Sequence, residues 1–432
     1  MLVNFRFKNC RSFLDETVFS MEATKDTELK DINTFNVEEK LMPKDENTLL
    51  KSSVIFGGNA SGKSNIIKAL AYMKNVLLLS ASQFPIVAQN ESFAFLKNNN
   101  EESLYEVEII QNKTFYRYGF TLLHGEVVSE WLDRRTERLT PVFRRNYDEL
   151  EIAGLPKQAT KLINIGPNTL FLSVGNNFHL NIASQLADVM NWFQSLLIVF
   201  ENNANSVDIY TMEHGKYREQ AIKILKLADI GIKDFRVKKD KVANMADFND
   251  ILRFNAQLQI NPAAVQGQLK QEESNLYNID LETDFEVFDR KGNVSGKKSV
   301  LLFQNSGFNS EGTTRLLCYL GWILAALDQG RVILIDEMDS KLHFLVADYI
   351  MQLFNSIDSN AKNAQLICTA HSILLMDEGL RRDQIYFTSK DSYGKSSLVS
   401  LSDYKNVRKS DLFSKKYLAG FYSDLPDMKN SD

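Results

Sequence analysis

Residues 57–64 read G-G-N-A-S-G-K-S, and this short stretch is the strongest indication of the fold in the sequence. It fits the pattern G-x-x-x-x-G-K-[ST] of a phosphate-binding loop, or P-loop. Glycines at both ends allow a tight backbone turn, so that consecutive N–H groups converge on phosphate oxygens. The flanks suit the motif, because residues 53–56 form a short apolar strand candidate and residues 64–80 carry apolar side chains at helical spacing. Strand, loop and helix N-terminus together make an anion-binding site.

The loop predicts which residues hold a nucleoside triphosphate. Lys63 is expected to reach the β- and γ-phosphates, and the Ser64 hydroxyl is expected to bind Mg²⁺. We therefore predict that ATP and Mg²⁺ bind here. The other residues expected to line the nucleotide are Gly57, Asn59, Ala60, Ser61, Gly62 and Asn65.

A second motif lies far along the chain, where residues 331–339 read RVILIDEMD. An apolar strand that ends in Asp336 and Glu337 is typical of a Walker B element. Asp336 is expected to hold Mg²⁺ opposite Ser64, and Glu337 is expected to polarise the attacking water. The alternative is a strand with an acidic end and no catalytic role, and the P-loop elsewhere in the chain favours the Walker B interpretation.

A histidine follows the next strand candidate, in the stretch Thr369-Ala370-His371-Ser372. Ligand sites of open α/β sheets gather at the carboxyl ends of strands, where this stretch is expected to lie. A lone histidine is more often structural. The order of P-loop, acidic strand and strand with histidine favours a role for His371 as a sensor of the γ-phosphate.

The strand and helix patterns predict an α/β fold with a mixed β core, a parallel sheet with flanking helices and no long coiled coil. Residues 1–175 contain two N-terminal strand candidates, the P-loop and an antiparallel meander over 103–132. Residues 176–275 are expected to form a mainly helical inserted subdomain. Residues 276–432 return to alternating strands and helices, which indicates a parallel sheet.

Composition limits the class of protein. The chain has 432 residues, 44% hydrophobic and 24% charged, with a net charge of -5, which is typical of a soluble globular protein. Its three isolated cysteines, Cys10, Cys318 and Cys368, suit a reducing cytoplasm. Because no apolar run approaches about 18 residues and the N-terminus lacks a signal-peptide pattern, we expect no membrane association.

With these motifs, the chain resembles ABC-type P-loop ATPase heads of the SMC/RecF/OLD group. It resembles more closely the stand-alone AAA-type ATPases of bacterial abortive-infection and restriction-associated loci, of the RloA and AbiL kind. The resemblance runs over nearly the whole chain. Its motifs are NFRFKNCRSF at 4–13, GGNASGKSN at 57–65, NSEGTTRLL at 309–317, ILIDEMDSKLH at 333–343, TAHS at 369–372 and KKYLAGFY at 415–422.

The resemblance implies a dimer in which two heads sandwich ATP. In that group each ATP lies between one P-loop and the signature motif of the other subunit. By position, Ser310 and Gly312 belong to this signature, S-E-G-T, and would face the γ-phosphate in trans. The motif departs from the SGGQ of transporters, and its alternative is a simple helix N-cap. Asp339 would be the D-loop aspartate, acting across the dimer.

The ATPases of this group have two further nucleotide contacts, an N-terminal arginine and a Q-loop glutamine. Arg11 lies where relatives contact nucleotide phosphate or base, and its alternative is an exposed turn arginine. A Q-loop glutamine has no recognisable position, since Gln83, Gln89 and Gln111 all follow the P-loop helix without a matching context.

The resemblance implies a slow ATPase that acts as a sensor in bacterial anti-phage defence, or abortive infection. It would control a separate effector, expected to be a nuclease, since no second acidic cluster typical of a nuclease domain follows residue 372. One alternative is a RecF-like, ATP-gated DNA-binding protein of DNA repair. Another is a scaffold that holds ATP without hydrolysing it, and Glu337 argues against that one.

DNA is considered as a partner because two basic clusters could touch phosphates. The alternative, a solvated charged face, is favoured by the acidic charge of the whole chain. The first cluster is Arg134, Arg135, Arg138, Arg144 and Arg145, and the second is Lys405, Arg408, Lys409, Lys415 and Lys416.

Overall fold

The fold is described from a computed structural model of the chain. No helix among the described residues is both long and apolar enough to cross a membrane. The description covers residues 1–42, 47–82, 86–175, 178, 180–200, 215–227, 231–241, 277–301, 311–405, 407 and 412–422.

Strands and helices are numbered in chain order over these residues. Strands β1 to β18 are Leu2–Lys8, Thr17–Ser20, Thr34–Asn36, Thr48–Leu50, Ser52–Gly57, Ser103–Gln111, Thr114–Leu123, Glu126–Arg135, Leu139–Asn146, Glu149–Ile152, Leu197–Val199, Ile232–Lys241, Tyr277–Phe288, Val294–Leu301, Val332–Ile335, Gln365–Thr369, Ile385–Lys390 and Ser396–Ser400. Helices α1 to α9 are Lys30–Asn33, Lys63–Leu79, Lys157–Thr160, Phe171–Val174, Ala183–Ser195, Gly215–Leu227, Glu311–Gln329, Phe344–Asn355 and Phe413–Leu418. Short 3₁₀ turns are Glu39–Leu41, Val87–Gln89, Ile373–Asp377, Arg382–Gln384 and Leu401–Asp403.

A six-stranded sheet carries the two nucleotide motifs. Its strand order is β11-β15-β16-β5-β17-β18. The four strands from β15 to β17 in this order run parallel, and β18 pairs antiparallel with β17. All four residues of β15 and five of the six in β5 are buried, as expected for parallel strands covered on both faces. The predicted α/β fold with a parallel sheet is confirmed, and the carboxyl ends of the P-loop and Walker B strands share one edge.

A second sheet has seven antiparallel strands, in the order β10-β9-β8-β7-β6-β1-β2. It contains both predicted N-terminal strands and the predicted meander. Gln365, the first residue of β16, joins the two sheets. Its side chain accepts a hydrogen bond from the Leu2 N–H (2.6 Å) and donates to the carbonyl oxygens of Leu2 (3.0 Å) and Leu50 (3.1 Å). These bonds satisfy buried backbone groups that would otherwise be unpaired.

The contacts divide the chain into two units. The first comprises Met1–Ile198, Ala326–Ser340 and Ala347–Asp432, and the second comprises Val199–Ala325 and Lys341–Val346. The boundaries at 175 and 275, which the change between strand-like and helix-like patterns predicts, stay a prediction.

The second unit contains a three-stranded antiparallel sheet, β12-β13-β14. Strand β12 is ten residues long and lies within the region predicted to be mainly helical. The local sequence does not indicate this strand, because the buried Ile232 and Phe235 lie three positions apart, across an irregularity in the pairing, and the residues around them are mostly charged. Pairing with β13, a distant segment, fixes the strand, and such tertiary contacts commonly override local propensity.

Candidate nucleotide-binding site

The P-loop connects the carboxyl end of β5 to the first turn of α2. Helix α2 begins at Lys63, and its N-cap is Gly62, with a φ of 114°. No side chain caps the helix, and its first turn contains no acidic residue. The first N–H groups of a helix have no partners within it, and the helix dipole makes this end positive. An uncapped N-terminus of this kind suits a phosphate group.

The two motif glycines are required by packing as well as by backbone conformation. A Cβ atom on Gly57 would lie 2.3 Å from Thr388 Oγ1, and one on Gly62 would lie 2.6 Å from Ser396 Oγ. The Ser61 hydroxyl is also 2.6 Å from that of Thr388. The end of β17 and the start of β18 therefore pack directly against the loop. Sequence reasoning gave Thr388 and Ser396 no role, because nothing in their local sequence marks them.

Lys63 is buried and faces the backbone of its own loop. Its ammonium group donates to the carbonyl oxygens of Gly57 (2.8 Å) and Gly58 (3.0 Å). Burial lowers the pKa of Lys63, while the negative charges of Glu337 and Asp336 act in the opposite direction. A buried cation is poorly hydrated, so a neighbouring anion stabilises its charge strongly. This property suits Lys63 to binding of a phosphate group.

The Walker B residues are held by a threonine of the neighbouring strand. Thr369 ends β16 and is fully buried. Its hydroxyl donates to Asp336 Oδ1 (2.7 Å) and accepts the N–H of Glu337 (2.7 Å). One side chain thus orients both predicted acidic residues. In the sequence, Thr369 is recognisable only as part of the stretch before His371.

Glu337 and His371 lie side by side. The distance from His371 Nε2 to Glu337 Oε1 is 3.5 Å, and both side chains are partly exposed. Glu337 has a φ of 50°, in the left-handed region that non-glycine residues seldom adopt. Such conformations persist only where the surroundings impose them, and they concentrate at functional sites. The predicted water-activating group and the predicted γ-phosphate sensor are therefore brought together.

Asp339 has a local role that was not predicted. Its carboxylate is nearly buried and accepts the backbone N–H of His371, at 2.9 Å from Oδ2 and 3.1 Å from Oδ1. The N–H of Ser372 also donates to Oδ2. Asp339 thus fixes the turn that presents His371. Its predicted action across a dimer stays a prediction.

The N-terminal turn is attached to the start of α2. Arg11 has a φ of 53°, and its guanidinium pairs with the carboxylate of Glu91 at 2.8 and 3.0 Å. The next residue, Ser12, accepts a hydrogen bond from Asn65 Nδ2 (2.8 Å). Arg11 is therefore close in sequence to a contact with the nucleotide loop, but its side chain is bound to Glu91. Its predicted contact with nucleotide stays a prediction.

The predicted signature is only partly described. Ser310 lies outside the described residues, whereas Gly312 is in the first turn of α7 in the second unit. Of the three glutamines considered for a Q-loop, Gln83 lies outside the described residues, Gln89 ends a 3₁₀ turn and Gln111 ends β6. The action of the signature on a second subunit stays a prediction.

The first basic cluster does not form one surface. Arg145 is buried, and its guanidinium donates to the carbonyl oxygens of Thr169 (2.5 Å) and Gly166 (3.0 Å). Arg144 pairs with Asp133. Both arginines therefore have partners within the protein, and Arg145 is removed from the surface. In the second cluster, Arg408 and Lys409 lie outside the described residues.

The acidic side chains fit a bound Mg²⁺ ion. The described part of the chain contains no group of three or more His, Cys, Asp or Glu side chains that could hold a metal on its own. Mg²⁺ usually binds to one or two carboxylates, keeps several waters and takes its other ligands from phosphates. One carboxylate from Asp336 and one hydroxyl from Ser64 agree with this mode.

A family model described as "AAA domain, putative AbiEii toxin, Type IV TA system" matches residues 52–377. The match begins at β5 and extends beyond His371, so it contains the P-loop, the Walker B strand and the histidine. A comparison with curated proteins finds no match. Since the match covers about three quarters of the 432 residues, the chain belongs to this family of P-loop ATPase domains.

Proposed function

We propose that the chain is a slow ABC-type ATPase that acts in the cytoplasm as a regulatory sensor in bacterial anti-phage defence. One observation supports ATPase activity: four side chains lie close together at the carboxyl ends of the parallel strands. They are Lys63, Asp336, Glu337 and His371. The family description, which names a toxin of a type IV toxin–antitoxin system, supports the defence context.

The proposed reaction is hydrolysis of ATP to ADP and phosphate. Lys63 and the N–H groups of the P-loop bind the phosphates, and Ser64 and Asp336 hold Mg²⁺. The ion, when bound, neutralises charge on the phosphate oxygens. Glu337 accepts a proton from the water whose oxygen attacks the γ-phosphorus, and the bond to the β–γ bridging oxygen breaks. His371, 3.5 Å from Glu337, orients that carboxylate and contacts the γ-phosphate.

Nucleotide binding is tested by titrating the protein with MgATP in a calorimeter. Wild-type protein is expected to bind, and Lys63→Ala is expected to lose binding because the P-loop cation is removed. Lys68→Ala, in the same helix but at a partly exposed position outside the motif, is the matched control and should bind normally. Equal binding by the Lys63 and Lys68 variants would contradict the proposed site.

The proposed assembly is a head-to-tail homodimer, as in the RloA and AbiL kind of ATPase, which controls a separate effector nuclease. Lys63→Ala and Ser310→Arg would each remove a different half of every composite site. Each variant alone should therefore be inactive, whereas a mixture should recover about one working site per mixed dimer. Phosphate release by the mixture measures this recovery, and its absence would count against a composite site.

A further inference from the structure

The turn between β17 and β18 stands beside the P-loop at the same edge of the sheet. Strand β17 runs parallel to β5, with Thr388 level with Gly57. The chain continues past this level, turns over residues 391–395 and returns at Ser396. The Ser396 hydroxyl then lies 2.7 Å from the carbonyl oxygen of Ser61 in the P-loop. The turn therefore lies next to the P-loop, on the side of β5 opposite to β16 and β15.

This turn presents an aromatic surface. Tyr393 is 81% exposed and Phe95 is 71% exposed. They flank the same glycine, since a Cβ atom on Gly394 would lie 2.8 Å from the Phe95 ring. Phe95 in turn packs edge-to-face on the buried Phe93, with ring centroids 5.7 Å apart. We call Tyr393 and Phe95 the aromatic platform. Tyr393 directly precedes the glycine that the Phe95 ring contacts, so two large exposed aromatic side chains belong to one small region of the surface. Exposed apolar surface of this kind is a candidate binding surface.

The residues that hold the aromatic platform in place also form hydrogen bonds with residues of the nucleotide loop and of the N-terminal turn. Ser396 Oγ is 2.8 Å from Ser12 Oγ, and the Ser396 N–H donates to the Ser12 carbonyl (2.7 Å). Ser12 also accepts from Asn65 in the first turn of α2. On the other side, the Asn9 side chain accepts the N–H of Phe93 (3.0 Å). The platform is therefore fixed relative to the P-loop and not carried on an independent segment.

The strand order sets the direction of a nucleotide in the loop. Strands β16 and β15, which carry Asp336 and Glu337, lie on one side of β5, and β17 lies on the other. A γ-phosphate must face the acidic side chains to react. The nucleoside end of the same molecule would then point away from them, to the side of β5 on which β17 and its turn lie.

We infer that the aromatic platform is the nucleobase subsite of this chain, with the base of ATP stacked on Tyr393 and bordered by Phe95; this inference rests on the proposed function. Stacking on an aromatic ring needs no hydrogen-bond partner and is open to any base, since every base has a π-face. The platform thus adds affinity for the nucleoside part, while Lys63 and the loop bind the phosphates.

The test compares two ligands that share the phosphates and differ in the base. Wild-type protein, Tyr393→Ala and Tyr393→Phe are titrated in a calorimeter with MgATP and with magnesium tripolyphosphate. Loss of one base–aromatic stack predicts that Tyr393→Ala binds MgATP about 5-fold to about 150-fold more weakly. Its affinity for tripolyphosphate should be unchanged, and Tyr393→Phe should bind like wild type. Tyr147→Ala, at a half-exposed tyrosine in the turn between β9 and β10, is the matched control and should change neither affinity.

The outcomes separate this inference from the proposed function. Unchanged MgATP affinity in Tyr393→Ala would overturn the nucleobase subsite. If the variant then altered self-association, the aromatic platform would be a protein contact instead. Equal weakening for both ligands would also overturn it, because the damage would then lie in the phosphate loop. If wild-type protein bound neither ligand, the proposed function itself would fail, and the subsite with it.

Discussion

One side chain, that of Thr369, orients the acidic pair Asp336 and Glu337 at the end of β15. Thr369 contributes the same hydroxyl to the carboxylate of Asp336 and to the backbone of Glu337. The second of these bonds supports a left-handed backbone at Glu337 that would be costly without it. We therefore propose that Thr369 is a positioning residue, which would act on ATP hydrolysis through its two neighbours.

Replacing Thr369 by valine keeps its shape and removes the hydroxyl. We expect turnover of ATP to fall by about 10-fold to about 100-fold, as is typical when a side chain that orients a metal ligand is lost. Thr369→Ser should retain most of the activity, since it keeps the hydroxyl. Steady-state phosphate release with saturating MgATP measures both variants. Full activity in the valine variant would show that the hydroxyl does not position the acidic pair.

Two cysteines should be unreactive in the folded protein. Burial raises the pKa of Cys10 to about 11 and raises the pKa of Cys368 as well. A raised pKa means less thiolate at a given pH, so at pH 8 Cys10 has about 100-fold less thiolate than a cysteine with the ordinary pKa of 9.0. Alkylation with iodoacetamide, followed by peptide mass spectrometry, should modify both only after unfolding in guanidinium. Fast labelling of either in native protein would contradict this burial.

At the scale of elements, the loop between β5 and α2 depends on the hairpin of β17 and β18. Gly62→Ala would force a Cβ atom to within 2.6 Å of Ser396 and strain a φ of 114°. We expect the free energy of unfolding to fall by about 1–3 kcal/mol. Gly296→Ala, in β14, meets no atom within 4 Å and is the control, with an expected change within about 0.5 kcal/mol. Urea denaturation measures both; equal stability of the two variants would exclude this packing argument.

Elements that depend on local patterns were predictable, whereas contacts between distant segments were not. The P-loop strand and helix α2 follow from apolar spacing within about twenty residues, and the Walker B strand from a short apolar run. The contact of Ser12 with Ser396 joins residues 384 positions apart, and no local pattern indicates it. The same holds for the hydrogen bonds of Thr369 and for the pairing of β12. Lys63, Asp336, Glu337 and His371 could be named from the sequence because their motifs are short and contiguous.

At the scale of the whole molecule, the charge distribution argues against DNA as the main ligand. The net charge is -5, and Arg145, in the first basic cluster, is buried against backbone carbonyls. We expect that MgATP will not increase the affinity for duplex DNA, even at about 50 mM salt, where phosphate contacts are strong. Fluorescence anisotropy with a labelled duplex measures this. Tight, ATP-dependent binding that weakens steeply with salt would favour the RecF-like alternative.

In the proposed reaction, Glu337 activates water at a site that Lys63 and Asp336 organise. The most direct test is phosphate release from MgATP by wild-type protein and by Glu337→Gln, with ATP affinity measured in parallel. We predict that the variant retains ATP affinity within a few-fold and loses at least about 100-fold in turnover, because glutamine cannot accept the proton. Equal turnover by the two proteins, whether measurable or negligible, would contradict the claim.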